Sequence, residues 1–268
     1  MMKWMNRMRA RRHVRASSYQ AALEDLPDGL ESGWRESAPQ EYPGIRTDAF
    51  FFARAAEGLL RFFDAVRGSE RPCALPSDAA DSVWHAWLRR DPIGLERFCR
   101  KHFGRVIPHI GRSGLAPDAL ANTLVTGRRL EGIAPLGPQL PRLFGLDAWL
   151  RMPGGHGYWR RDDEIVYARL GKRGLCLSRA QPHPELTVAA LLAAGLVDAG
   201  MVLAHMRQQQ ASAMAGSSCG AFADGSLGMA FAGDGGCADS GDGSGAGGGD
   251  GGSSCGSSCG GGCGGGGD

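Results

Sequence analysis

The chain has 268 residues, with 30 Lys and Arg against 28 Asp and Glu and a formal net charge of +2. Its glycines crowd towards the C-terminus, where the last basic residue is Arg207 and the later charges are Asp224, Asp234, Asp239, Asp242, Asp250 and Asp268. Setting those six negative charges apart leaves +8 on the preceding region, which excludes a uniformly acidic chain and describes a basic body followed by an acidic tail.

The first segment carries Lys3, Arg7, Arg9, Arg11, Arg12 and Arg15 and reads as a basic arm able to neutralise phosphates of nucleic acid or anionic lipid. It has no continuous apolar stretch of the kind a secretory signal needs, so the expected location is cytoplasmic. From Ala21 to Gly44, Pro27, Gly29, Gly33, Pro39, Pro43 and Gly44 interrupt any period, so residues 1–44 are expected to be the arm and an irregular linker.

The helical patterns follow. Thr47 or Asp48 can accept hydrogen bonds from the open amides of a first turn, and Phe51, Ala55, Leu59, Phe62, Phe63 and Val66 recur at helical spacing up to Gly68. Ser77 and Asp78 cap a second pattern through Val83, Trp84, Trp87 and Leu88, which Asp91-Pro92 stops. Pro92 then suits the first turn of a helix through Leu95, Phe98, Cys99 and Phe103 that ends at Gly104. A further helix runs from Pro117-Asp118 to Arg128-Arg129, with its terminal cations complementing the helix dipole.

Between Gly132 and Gly157 turns dominate, with a short helix expected near Leu143 to Leu150. Glu164 to Leu170 and Leu175 to Ser178 are expected to form a small β-hairpin across Gly171-Lys172-Arg173-Gly174. A last long helix is expected from Leu186 to about Gln209. Asp198 inside that apolar run argues against a transmembrane span, because a carboxylate at a helix centre costs about 2.5–3.5 kcal/mol on insertion. The remainder, 211–268, is rich in Gly, Ser and Cys and cannot bury enough apolar surface to offset chain ordering, so a disordered tail is expected. The fold class is therefore mainly α, a single helical domain over 45–210 with a small hairpin.

Within the body, Leu75-Pro76-Ser77, Asp81, Trp84-His85, Leu95-Glu96-Arg97-Phe98-Cys99, Phe103-Gly104 and His109 form a block of uncommon residues at set intervals. This block resembles the glycine-rich domain-containing protein family, best known from plants, and the Gly- and Cys-rich C-terminus agrees with that family's naming feature. The resemblance covers roughly 45–110 and implies no established reaction; stress responses and RNA association are what it suggests. The chain departs from it at Trp87, where a second His is frequent, and at Leu95, where an aromatic residue is common.

The chemistry offered by these residues is metal ligation. Cys99 and His102 at i, i+3 share one side of a helix, and His85 with His109 can complete a tetrahedral set for Zn²⁺. Cys255, Cys259 and Cys263 recur every four residues in the tail and offer thiolates to Zn²⁺ or Cu(I). No Ser, His and Asp or paired-carboxylate spacing completes a catalytic set. The expected role is thus a non-enzymatic interaction or scaffold protein with a protein partner; the alternatives are a metal-binding protein and an RNA-associated one acting through the Arg-rich arm.

Overall fold

A computed structural model describes residues 2–111, 114–137, 139–161 and 164–215. The sequence block around Phe51 becomes the central helix. In chain order the described helices are α1 (Met2–Ala16), α2 (Gln20–Glu24), α3 (Leu30–Glu41), α4 (Ala49–Arg67), α5 (Asp78–Arg90), α6 (Pro92–Phe103), α7 (Ala119–Leu130), α8 (Leu146–Leu150), α9 (Val188–Ala193) and α10 (Ala199–Ala215). The fold is mainly helical with a small antiparallel sheet, as composition and periodicity led us to expect.

Helix α4 starts where Asp48 accepts from the amides of Phe50 and Phe51, both at 3.1 Å. Its Phe51, Ala55, Leu59 and Phe63 are buried on successive turns, and α1, α5 and α7 pack around it. Phe51, Leu59 and Phe63 are each worth about 1.5–3 kcal/mol when withdrawn from water, which makes α4 the element around which the others are ordered. Helix α5 opens at Ser77, whose hydroxyl accepts from the Ala80 amide at 3.2 Å. It buries Val83, Trp84 and Trp87 against α4 and its neighbours. The Asp91 side chain then caps α6 through Gly94, and Gly104 at φ +73° ends that helix.

Residues 21–44 are not an irregular linker. They contain α2 and α3, and the reason is burial: Leu30, Trp34 and Ala38 fall at four-residue intervals and all turn inward. Trp34 is 0% exposed, stacks on Phe51 at 5.7 Å, and donates from Nε1 to Ser82 Oγ at 2.9 Å. Pro39 sits near the end of α3. The basic arm is also ordered, since α1 lies along α4 with Ala10 buried, and Glu57 of α4 takes His13 Nε2 at 2.6 Å and Arg61 Nη2 at 2.8 Å.

Of the two expected strands, Glu164 to Leu170 forms as read, and its partner differs. β1 (His156–Arg161) pairs antiparallel with β2 (Glu164–Arg169), and β2 pairs with the short β3 (Gln181–Pro182), giving the order β1-β2-β3. Tyr158 faces Tyr167 and Trp159 faces Val166 across the first pair. Aromatic and β-branched cross-strand partners favour that register. By contrast Leu175 and Leu177 are 57% and 67% exposed, and that segment forms no named strand, pairing through the isolated bridge Leu170 to Cys176.

The expected long helix from Leu186 to Gln209 is broken. A 3-10 turn spans Pro184–Leu186, Thr187 caps α9 through Ala190, and Gly195 at φ +64° reverses the chain before Asp198 accepts from Met201 at the start of α10. Two caps and a left-handed glycine thus outweigh continuous helical propensity. Among the described residues no helix is long and apolar enough to cross a membrane. Leu124, Phe144, Tyr158, Ile165, Leu186 and Leu191 close a second core between α7, the sheet and α9.

Candidate metal centre

Helix α5 sets the first half of the site. Asp81 and His85 lie at i, i+4, so one helix face presents both side chains. His109 comes from the connection between α6 and α7, which is tied down by the buried Ile107 and by a hydrogen bond between the Ile107 backbone and Cys99. The His109 ring packs edge-on against Trp84, with centroids 4.5 Å apart and planes at 76°.

The three side chains converge. His85 Nε2 lies 3.1 Å from His109 Nε2, His109 Nε2 lies 3.1 Å from Asp81 Oδ1, and His85 Nε2 lies 3.5 Å from Asp81 Oδ2. Ligands held about 2.0–2.1 Å from a tetrahedral ion are separated by about 3.3 Å; the contacts of His109 Nε2 to His85 and to Asp81 Oδ1 have that spacing, and with one ligand atom from each residue the three lie within 4.8 Å of one another. Among the described residues, Asp81, His85 and His109 are the one group of three or more metal-ligating side chains gathered this closely.

Surrounding groups fix the rings. His85 Nδ1 hydrogen-bonds Glu41 Oε1 at the end of α3, and Arg89 Nη1 holds the other Glu41 oxygen at 3.0 Å. With its Nδ1 proton donated to the carboxylate, His85 directs the lone pair of Nε2 towards His109; this tautomer follows from the partners. The Tyr42 hydroxyl reaches Asp81 Oδ2 at 3.4 Å, and burial followed by the charges of Asp81 and Glu41 pushes that phenol well above its ordinary value. It therefore acts only as a neutral donor.

The start of α5 is fixed from below by Asp147 of α8. This fully buried carboxylate accepts from the Ser77 hydroxyl at 2.6 Å, from the Asp78 and Ala79 amides at 3.0 Å each, and from the His156 amide at 3.1 Å. Burial and the charge of Asp78 raise it to about 6 against the pull of those donors. A Cβ on Gly155 would stand 2.5 Å from Asp147 Oδ2, so glycine is what lets the strand approach. One residue thereby aligns α5 with β1.

The triangle opens on a cleft of about 770 Å³ whose far wall includes Tyr158, Tyr167, His156 and His183. Burial, then the charge of His156, lowers His183 to about 4, so its ring is neutral at ordinary pH; its Nδ1 accepts from the Glu185 amide.

Two members of the sequence-derived quartet, His85 and His109, are brought together; the other two are placed elsewhere. Cys99 is 1% exposed within the main core, and burial pushes its thiol up to about 11. His102 turns to Asp25, with Nε2 2.7 Å from Oδ2, and its ring lies 4.4 Å from that of Phe98. Cys255, Cys259 and Cys263 lie outside the described residues. The quartet omitted Asp81 and Glu41. The first was signalled by its i, i+4 relation to His85, whereas the second had no signal in a segment read as irregular.

No family model matches this chain, and neither does any curated protein or solved structure.

Proposed function

We propose that this protein binds a divalent transition-metal ion through Asp81, His85 Nε2 and His109 Nε2. The observation that carries this reading is the convergence of three ligand side chains: the two Nε2 atoms lie 3.1 Å apart, and the Asp81 carboxylate reaches His109 with Oδ1 at 3.1 Å and His85 with Oδ2 at 3.5 Å. Two imidazoles whose Nε2 atoms face each other can share at most one proton between them, while a cation satisfies both lone pairs and the carboxylate together. The Glu41 carboxylate on His85 Nδ1 adds the outer-sphere partner that metal-bound histidines ordinarily have.

The donor set is two nitrogens and one oxygen, which suits Zn²⁺ and related borderline divalent ions better than Cu(I), whose preference is for sulfur. With three protein ligands a coordination position is left for water or a ligand from the cleft, the arrangement of zinc sites that do more than hold a fold together. This reading takes precedence over a scaffold role because it accounts for particular side-chain positions, where the scaffold role rested on composition.

Titrating the full chain with Co²⁺ tests it, since a distorted four-coordinate site gives visible d–d absorption. Absorption that saturates in the wild type and is lost in His85→Ala and His109→Ala supports the reading. Spectra unaltered by both substitutions overturn it, because they would place the ion on other ligands such as the tail thiolates.

A further inference from the structure

We propose that the outward face of α1 is a docking surface for anionic phospholipid membranes. Its inward face is already used: Ala10 is buried, Val14 is partly buried, and His13 pairs with Glu57. On the opposite side Trp4, Met8, Arg11 and Arg15 follow one another at helical spacing, with Met5, Arg7 and Arg12 beside them. Trp4, Met5 and Met8 are 66%, 50% and 47% exposed. All four of these arginines are exposed, and among the described residues none of them forms an ion pair. Glu24, Asp28 and Glu31 line a groove with Arg11 and Arg15, and among the described residues no ion pair joins them. Met2–Ala16 contains no acidic residue at all.

An apolar patch rimmed by unpaired guanidinium groups calls for a partner that supplies both hydrocarbon and negative charge. A second copy of the chain would bring the same positive face and be repelled. RNA would satisfy the arginines yet leave both methionines in water. A phospholipid interface satisfies both, with the Trp4 indole at headgroup level, the methionines below it and the arginines on phosphates. Neither feature is sufficient alone, because three apolar side chains partition weakly and four cations are screened by salt.

Cosedimentation of the full chain with vesicles tests this, comparing phosphatidylcholine containing phosphatidylserine with phosphatidylcholine alone. Binding to the anionic vesicles only, weakened by added salt, is expected. Replacing Arg7, Arg11, Arg12 and Arg15 by Gln should lower partitioning by roughly a hundredfold or more, at about a factor of five per cation. A second variant, Trp4→Ser with Met8→Ser, keeps every charge and should lose roughly tenfold. All these positions are exposed, and an unchanged circular dichroism melt verifies the fold of each variant. Equal binding to both vesicle types, no binding to anionic vesicles at low salt, wild-type partitioning by the Trp4 and Met8 variant, or binding of single-stranded polyuridine with no vesicle binding would each overturn the proposal.

Discussion

His85 Nε2 and His109 Nε2 face each other across 3.1 Å although 24 residues separate them in the chain. Helix α5 supplies one ring and the α6–α7 connection the other, and Asp81 closes the triangle from the same face of α5 as His85.

Removing a ligand should separate metal affinity from stability. Asp81→Asn, His85→Ala and His109→Ala are expected to abolish the rise in melting temperature that excess Zn²⁺ gives the wild type, because an ion that binds only the folded state stabilises by mass action. Differential scanning fluorimetry with and without Zn²⁺ reads this directly. Cys99→Ala and His102→Ala should keep the zinc-induced rise, since those side chains are engaged in the core and with Asp25.

Glu41 acts through His85. Glu41→Gln leaves the three ligand atoms in place but removes the charge that orients the ring, so zinc affinity should fall about 10–100-fold. Competition with a chromophoric chelator measures the change. An affinity within twofold of wild type would mean that the Glu41 contact is incidental.

Asp147 should matter more for stability than any surface carboxylate. Asp147→Ala strands one hydroxyl and three amides in the interior, and a loss of about 4 kcal/mol is expected in urea unfolding. Asp147→Asn retains a carbonyl acceptor and should cost less. The same substitutions should weaken zinc binding, because the start of α5 and hence Asp81 are set by this residue.

The buried cluster joining α1 to α4 gives an acid-sensitive term. Burial alone would raise the Glu57 carboxyl, but the hydrogen bond from His13, the charge of Arg61 and the Ser17 hydroxyl together bring it down to about 2 from an ordinary 4.5. A depressed carboxyl stabilises the fold above its unfolded value and loses that contribution as the pH falls towards its folded value. The contribution is about 3 kcal/mol. Wild type should therefore lose stability steeply between about pH 5 and 2, and Glu57→Gln should flatten that limb, as urea midpoints across this range would show.

What the sequence disclosed and what it concealed follow from the kinds of force involved. Asp48, Ser77, Asp91 and Gly104 are local signals, each acting within a turn of its own position, and they delimit α4, α5 and α6 where they were read. Trp34 is the opposite case: its helix forms in a stretch punctuated by Pro and Gly because Phe51 and Ser82 give the indole a buried site, and neither partner is near it in sequence. The strand expected at Leu175 to Ser178 was misplaced for a related reason. Gly171 to Gly174 resembles a hairpin turn, yet β2 takes His156–Arg161 as its partner because Tyr158 and Trp159 offer better cross-strand contacts than the exposed Leu175 and Leu177.

The site shows the same division. His85 and Asp81 are one helical turn apart and legible as a pair, whereas the choice between Cys99, His102 and His109 as companions depends on how the chain turns after Gly104. Cys99 was plausible by spacing, and it is used instead as a buried thiol that anchors the Ile107 backbone on the connection carrying His109. Its contribution to the candidate centre is therefore indirect.

The most direct test is the zinc stoichiometry of the full chain against a variant carrying Asp81→Asn, His85→Ala and His109→Ala, measured after equilibrium dialysis at a fixed free Zn²⁺ concentration. Tail thiolates are common to both proteins, so their contribution cancels. One equivalent fewer is expected in the variant. Equal zinc content in two equally folded proteins would contradict it.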